Sequence, residues 1–446
     1  MTDRRILITG GWIVSMDPAI GDFTRGDLLI EGERIVELAP RIDVADADRV
    51  DAAGMIVTPG FVDTHRHTWQ SCMRHRYADI ASHIYFAQML GTIGAAYRTE
   101  DVYIGTLLGA VSALDSGITT MLDWAHVQNT PAHSDAAIEA LRDAGIRGIF
   151  GHGWPLIDGA SWMSDSQRSH PQDIRRLRSR YFSTNDQLLT LAMAARGPEM
   201  AQQNVWLEDL RLARELDIRS SIHMGAHARN SKARAIAQMQ EAGALGEDLT
   251  FVHCCFSADD EIAMMADAGV SASLGVHCEL NAQGIGDIPL DRLLAAGIRP
   301  SLSGDTETKC SGDMFTQMRH ALGYYRSWMG GGHSQVAGAP ATLTVRDMMD
   351  FATIAGARAT GLDHKVGSLT PGKQADFILI RSNDLNLMPV SDAVGATVLA
   401  AHPGNVDSVF VAGKAVKRNG HMIDLDMDAL RRRVSASQNY LLGLPS

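Results

Sequence analysis

The sequence predicts a (β/α)₈ barrel, the TIM-barrel class of α/β folds, carrying a small β-sandwich domain built from both chain ends. Three observations support this. Across residues 58–366, short apolar runs alternate with helical stretches eight times. Residues 1–57 and 367–446 instead have the texture of strands and tight turns. The residues best suited to bind a metal fall at the ends of particular apolar runs.

At the N-terminal end, "RILITGGWIV" and "GDLLIEGERIVEL" read as hairpin strands between glycine turns. The expected barrel strands are "MIVTPGFVD", "GITTMLDW", "GIRGIFGHG", "LLTLAMAA", "IRSSIHMG", "LTFVHC", "GVSASLG" and "IRPSLSGD". Helices are expected between them at "SDAAIEALRDAG", "VWLEDLRLARELD" and "DDEIAMMADAG", where apolar residues recur at helical spacing. Beyond residue 367, "VGSLTPGKQADFILI" and "VDSVFVAGKAVKRNG" return to strands, which pair with the N-terminal ones to complete the small domain. A chain of 446 residues accommodates one large barrel and one small unit.

Composition excludes several function classes. The net charge of −12 argues against a nucleic-acid or anionic-membrane partner. No run approaches 18 unbroken apolar residues, so no membrane span is expected. The N-terminus lacks the apolar core of a secretory signal. Five cysteines, two of them adjacent, do not form a disulfide pattern, which suits a reducing cytoplasm.

The stretch "TPGFVDTHRHTWQ" ends an apolar run in His65 and His67. One His-x-His pair carries little by itself, because 17 histidines in 446 residues give roughly 0.6 such pairs by chance. Its distant partners decide the matter. In a parallel barrel the chemistry sits at the C-terminal ends of the strands. The fifth run ends in His223, the sixth in His253 and the eighth in Asp305. The separations agree with that strand count: 156 residues over four units, 30 over one and 52 over two. Alternate strand residues face the same way, so His65 and His67 both reach the barrel mouth while Arg66 points away. Three or four histidines with a carboxylate suit Zn²⁺ or Fe²⁺ with a position open for water. Such an ion brings the pKa of its water to about 7. Asp305 is the expected base for that proton. His253 is the expected hydrogen-bond partner of the hydroxide or of the polarised substrate atom.

These pieces resemble the amidohydrolase superfamily over nearly the whole chain. The resemblance rests on "TPGFVDTHRH", "HCCFSADDEIAMMADAG", "LSGD" and "VGSLTPGKQADFILI". Within the superfamily the chain is similar to the cytosine deaminase and triazine hydrolase group. The resemblance implies one divalent ion per chain, zinc before iron, held by His65, His67, His223 and Asp305. It also implies that His253 assists the water and the leaving group. Two-metal branches bridge their ions with a carboxylated lysine on strand four, whereas no lysine precedes Lys232 here. A glutamate three residues after the strand-five histidine is implied as well, as the proton carrier to a ring nitrogen. Ala226 stands at that place. This departure shifts weight from ring deamination toward cleavage of a cyclic amide or urea. His227, one residue further, is either a substitute or a solvated loop residue.

Other residues near strand ends are candidate substrate contacts. Gln70 can read a polar ring edge, and Trp69 can stack on a flat substrate or simply pack. Trp124 and His126 follow strand two, and His152 and Trp154 follow strand three. His126, just before the "QNTP" turn, is the strongest polar candidate among them. After strand seven, "GVHCELN" offers His277 and Glu279; the latter is either a substrate or proton contact or a loop anchor. The expected activity is hydrolysis of a non-peptide C–N bond, by attack of metal-bound hydroxide, in a small cyclic or heteroaromatic molecule. A C–halogen hydrolase, a metal-dependent lyase or isomerase, and an inactive binding protein are the alternatives. The expected partner is a small molecule, and the expected state a homo-oligomer.

Overall fold

A computed structural model describes residues 4–282 and 284–444. Eight parallel strands stand in sequential order: β1 (Phe61–Arg66), β2 (Ile118–Ala125), β3 (Arg147–His152), β4 (Leu189–Ala195), β5 (Arg219–Met224), β6 (Leu249–His253), β7 (Ser271–Leu274) and β8 (Ser301–Leu302). Six fall within the expected runs, while β1 and β2 begin inside theirs and run on to Arg66 and Ala125. They are buried on both faces almost throughout, as strands wrapped by helices must be.

The barrel closes between β8 and β1. Inside it, Thr64 Oγ1 meets Ser273 Oγ at 2.7 Å and Ser301 Oγ at 2.9 Å. Just past β8, the Asp305 N–H donates to the His65 carbonyl, and the His67 N–H to the Asp305 carbonyl, each at 2.9 Å.

The first expected run is two strands rather than one. Met55–Pro59 belongs to the terminal sheet, and β1 begins at Phe61. The chain changes sheets at Gly60, whose amide donates to the Asp376 carbonyl at 3.1 Å. A Cβ on Gly60 would lie 2.1 Å from Thr119 Oγ1, so the crossing requires a residue without a side chain.

Helices Pro131–Ala144, Gln203–Glu215 and Asp259–Asp267 occupy the expected stretches. The first starts on proline and ends at Gly145 with φ +73°, the usual signals for helix start and stop. An unanticipated excursion separates β1 from the helix Thr99–Asp115. It consists of a 3₁₀ turn, Thr68–Met73, and a helical segment spanning Ser82–Tyr85 and Phe86–Ile93. Its Tyr85, Phe86 and Leu90 reach the cavity at the barrel mouth.

The two chain ends meet in one mixed sheet of nine strands. Phe377–Arg381 from the second end pairs antiparallel with Met55–Pro59 from the first. Ile6, Ile8, Leu28 and Ile30 share one apolar core with Phe377, Leu379 and Phe410. The sandwich expected of these ends is thus continuous in its hydrogen bonding. The last helix, Met427–Leu442, returns to the barrel side. There Ser437 Oγ donates to Asp101 Oδ1 at 2.8 Å, and Gln438 Nε2 to the Cys72 carbonyl at 3.0 Å. Among the described residues no helix is long and apolar enough to cross a membrane. All five cysteines are buried and unpaired.

A buried ion pair joins the barrel to the terminal sheet. Arg147 on β3 reaches Asp376 through two hydrogen bonds, Nε to Oδ2 at 2.7 Å and Nη2 to Oδ1 at 3.0 Å. Both residues are only 4% exposed, so removing one leaves a stranded charge. Asp376→Ala is expected to lower the unfolding free energy by about 3 kcal/mol in urea denaturation. A loss under about 1 kcal/mol would mean that water replaces the missing partner.

Candidate active site

His65 and His67 stand at the end of β1, and Asp305 reaches them through the backbone pair that closes the barrel. Asp305 Oδ1 lies 3.5 Å from both Nε2 atoms. Donor atoms of His65, His67 and Asp305 lie within 4.8 Å of one another, and so do those of His65, His223 and His253. The structure therefore assembles at one point all five residues that the strand ends suggested.

A backbone carbonyl orients the His67 ring. His67 donates Nδ1–H to the Trp124 carbonyl at 2.9 Å, which leaves the Nε2 lone pair facing Asp305. Among the described residues, neither ring nitrogen of buried His65 has a hydrogen-bond partner, and nor has His223 Nδ1. Buried polar atoms are rarely left so, and a cation among these donors would satisfy them. The donor set, imidazoles plus one carboxylate, fits a divalent metal ion. Electrostatics agree. Burial lowers the pKa of His67 and His223, so both stay neutral, the form that binds a cation. Burial alone would raise Asp305, but His65, His253 and His67 hold its carboxyl well below the usual range. Asp305 and His253 adopt left-handed backbone angles, φ +50° and +76°. Such strain, on the order of 1–3 kcal/mol per residue, concentrates where a side chain must be aimed.

Two pairs brace this cluster from outside. Glu279 Oε1 accepts from His253 Nδ1 and from the Gly275 N–H, both at 3.0 Å. Burial would lower the His253 pKa, yet the adjoining Glu279 and Asp305 carboxylates raise it above its ordinary value. On the other side, buried Arg66 donates to Asp63 Oδ2 at 2.8 Å, and Asp63 Oδ1 accepts the Gly304 N–H at 3.0 Å.

The cluster opens into a cavity of about 500 Å³, a size suited to a small molecule. Trp124, Trp154, Tyr85 and Phe86 form aromatic walls. A wider opening of about 1080 Å³ lies at the N-terminal ends of the strands, around Thr190, Ser220 and Thr250. No metal-capable cluster falls there among the described residues.

Of the expected substrate contacts, His126 reaches the cavity. Its ring lies 4.6 Å from that of His67, and burial pushes its pKa down to about 3. Trp124 and Trp154 also line the cavity, whereas the structure keeps Trp69, Gln70, His152, His277 and Glu279 behind the wall. Trp69 is wholly buried against Tyr97 and His126, at 5.0 and 5.4 Å between ring centroids. Gln70 donates to the Tyr85 hydroxyl and accepts from Thr306 Oγ1, both at 2.8 Å, and so acts through those two lining residues. Both sit in the 3₁₀ turn after β1, which directs them inward instead of along the strand. His277 stacks on His320 and accepts the Ser311 N–H at 3.1 Å. Among the described residues, Glu279 hydrogen-bonds to the cluster only through His253. His227 lines the cavity and donates Nδ1–H to the Gly284 carbonyl at 2.8 Å. Sequence reasoning missed two charged lining residues, Glu199 after β4 and Lys309 after β8. Their place in loops beyond strand C-terminal ends was the one signal available. Glu199 Oε1 accepts the Gly225 N–H at 2.7 Å, one residue before Ala226.

Glu279→Ala is expected to lower turnover 10- to 100-fold, roughly what removal of an orienting partner costs, with metal content at the wild-type level. Loss of metal along with turnover would instead make Glu279 a prop for the whole cluster.

The amidohydrolase family profile matches residues 56–416. A 5-methylthioadenosine/S-adenosylhomocysteine deaminase of Symbiobacterium thermophilum is 30% identical over 426 residues, 93% of each protein. A 5′-deoxyadenosine deaminase of Methanothermobacter thermautotrophicus is 26% identical over 455 residues, 99% of this chain and 100% of that protein. Among solved structures, an adenosine deaminase from Xanthomonas campestris with bound zinc superposes with a TM-score of 0.83 at 21% identity, covering 98% of each chain. A zinc complex of atrazine chlorohydrolase from Arthrobacter aurescens gives 0.82 at 19% identity, covering 97% of this chain and 100% of that one. These two likenesses establish the fold. The chain belongs to the amidohydrolase family, and it is a hydrolase acting on carbon–nitrogen bonds other than peptide bonds.

Proposed function

We propose that this protein deaminates an aminated nitrogen heteroaromatic ring of nucleobase size. The observation that carries this reading is the pair of overlapping donor groups, His65/His67/Asp305 and His65/His223/His253, at the floor of a cavity with aromatic walls. The deaminase names of the full-length relatives support it. His65, His67, His223 and Asp305 would hold one divalent ion per chain, zinc by the donor set. That ion supplies the acidity that lets a water lose its proton near neutral pH.

The remaining chemistry falls to the chain's own groups. Asp305 takes the proton that the attacking water loses. His253, whose pKa Glu279 helps to raise, donates a hydrogen bond to the oxygen that adds to the ring carbon. Glu199, entering the cycle as the neutral acid, gives its proton to the adjacent ring nitrogen and recovers one from the added hydroxyl. Asp305 passes its proton to the exocyclic amine, which leaves as ammonia. Both carboxyl groups return to their starting states, and the ring leaves as its lactam. Trp124, Trp154, Tyr85 and Phe86 hold the ring and exclude bulk water.

Ala226 weighed against deamination because it removes a carboxylate beside the strand-five histidine. Glu199, hydrogen-bonded to the Gly225 amide, restores a carboxylate one residue away. The test is ammonia release by zinc-loaded protein from aminated purines, pyrimidines, pterins and triazines. Turnover of at least one is expected, and Glu199→Gln should lower its kcat at least about 100-fold at unchanged zinc content. Ring opening of cyclic amides with no ammonia from any aminated ring would overturn the proposal.

A further inference from the structure

Lys309 is placed where a lysine is costly. It is 7% exposed and lines the cavity that also receives His67, His223 and Asp305. Its ammonium has three donors. One reaches Ser82 Oγ at 3.3 Å, a long contact, and the group lies 4.9 Å from the centroid of the Tyr85 ring. Among the described residues it enters no ion pair. The contrast with the other buried cations is sharp. Arg66, Arg147 and Arg196 each have a carboxylate at 2.7–2.8 Å. A desolvated cation without such a partner is unfavourable unless something completes it.

The surrounding loop holds the residue in this position. Asn281 Nδ2 donates to the Lys309 carbonyl at 2.7 Å. Two residues earlier, Glu307 is clamped by Arg74 at 2.8 and 2.9 Å and by Ser71 at 2.9 Å. On its other side, the Cys310 thiol donates to the Thr306 carbonyl at 2.9 Å. These contacts fix the backbone from which the Lys309 side chain enters the cavity. The ammonium meets the cavity on the wall formed by Ser82, Tyr85 and Thr306. Tyr85 is itself set by Gln70, which also accepts from Thr306.

We propose that Lys309 determines specificity by binding a carboxylate carried on the substrate, so that the preferred substrate is a heteroaromatic ring bearing an acidic substituent. The reading of the ring rests on the proposed deamination; the reading of the carboxylate rests on Lys309. Burial lowers the ammonium's pKa, which sharpens its need for an anion to remain charged. A carboxylate there would receive a charge-assisted hydrogen bond and could also accept from Ser82. Cation–π contact with Tyr85 supports the ammonium from behind without using a donor.

The test is a binding measurement, so it does not depend on turnover. Pyridine-3-carboxylate and pyridine-3-carboxamide, nearly equal in shape, are titrated calorimetrically into zinc-loaded wild type, Lys309→Gln and Lys309→Arg. The wild type is expected to favour the carboxylate at least about tenfold in Kd. Lys309→Gln should erase that preference at equal zinc content, and Lys309→Arg should keep most of it. An unchanged preference in Lys309→Gln would place the carboxylate elsewhere, on the metal for instance, and overturn the proposal. So would a wild type that binds both probes equally or neither at millimolar concentration. If Lys309→Gln does not fold, Lys309→Arg and Ser82→Ala decide: loss of preference in the first, or no weakening in the second, counts against it. Failure of the deaminase reading shows separately, as absence of ammonia from every aminated ring while this carboxylate preference persists.

Discussion

The seam between β8 and β1 is the constraint on which the rest depends. A parallel sheet becomes a barrel only where its last strand meets its first, and here that meeting is made by the backbone of Asp305 against His65 and His67. The same two hydrogen bonds that close the barrel place a carboxylate oxygen 3.5 Å from both imidazoles. Closure and site assembly are one event. Asp63 and Arg66 secure it from behind, because Asp63 accepts the Gly304 amide and Arg66 reaches the Gly312 carbonyl. Asp305 cannot shift without opening the barrel, and that rigidity justifies a left-handed backbone at a non-glycine residue.

Much of this was legible in the sequence, for a physical reason. Parallel strands buried on both faces leave unbroken apolar runs, and a polar residue at the end of such a run is conspicuous. His65, His67, His223, His253 and Asp305 were found that way, and their separations checked the strand count. The excursion after β1 was not legible. Thr68–Met73 carries no periodicity, and the reading extended the strand's direction past His67, making Trp69 and Gln70 pocket residues. In the structure the turn packs under the helix Thr99–Asp115. A Cβ on Gly105 would come within 2.5 Å of the Trp69 carbonyl oxygen, so the helix lies directly on the turn. Gly105 was the overlooked sign of that contact. Glu199 and Lys309 escaped for a different reason. Each sits in a loop whose path depends on tertiary contacts, and no local pattern records where such a side chain points.

Function in this fold is thus divided between two kinds of residue. Strand ends supply a cluster that the barrel cannot rearrange, while loops supply groups that meet the substrate and vary independently. Under the proposed function, Ala226 and Glu199 illustrate the second kind. A carboxylate absent from the loop after β5 is met by one from the loop after β4, anchored on the neighbouring Gly225 amide. In the proposed reaction Glu279, though outside the cavity, acts on the chemistry inside it through its hydrogen bond to His253.

The most direct measurement is diffraction from crystals of zinc-loaded protein, recorded on both sides of the zinc absorption edge. One anomalous peak per chain is expected, at bonding distance from His65, His67, His223 and Asp305. Two peaks in the site, or a peak elsewhere with those four side chains unligated, would contradict a single ion held at the barrel seam.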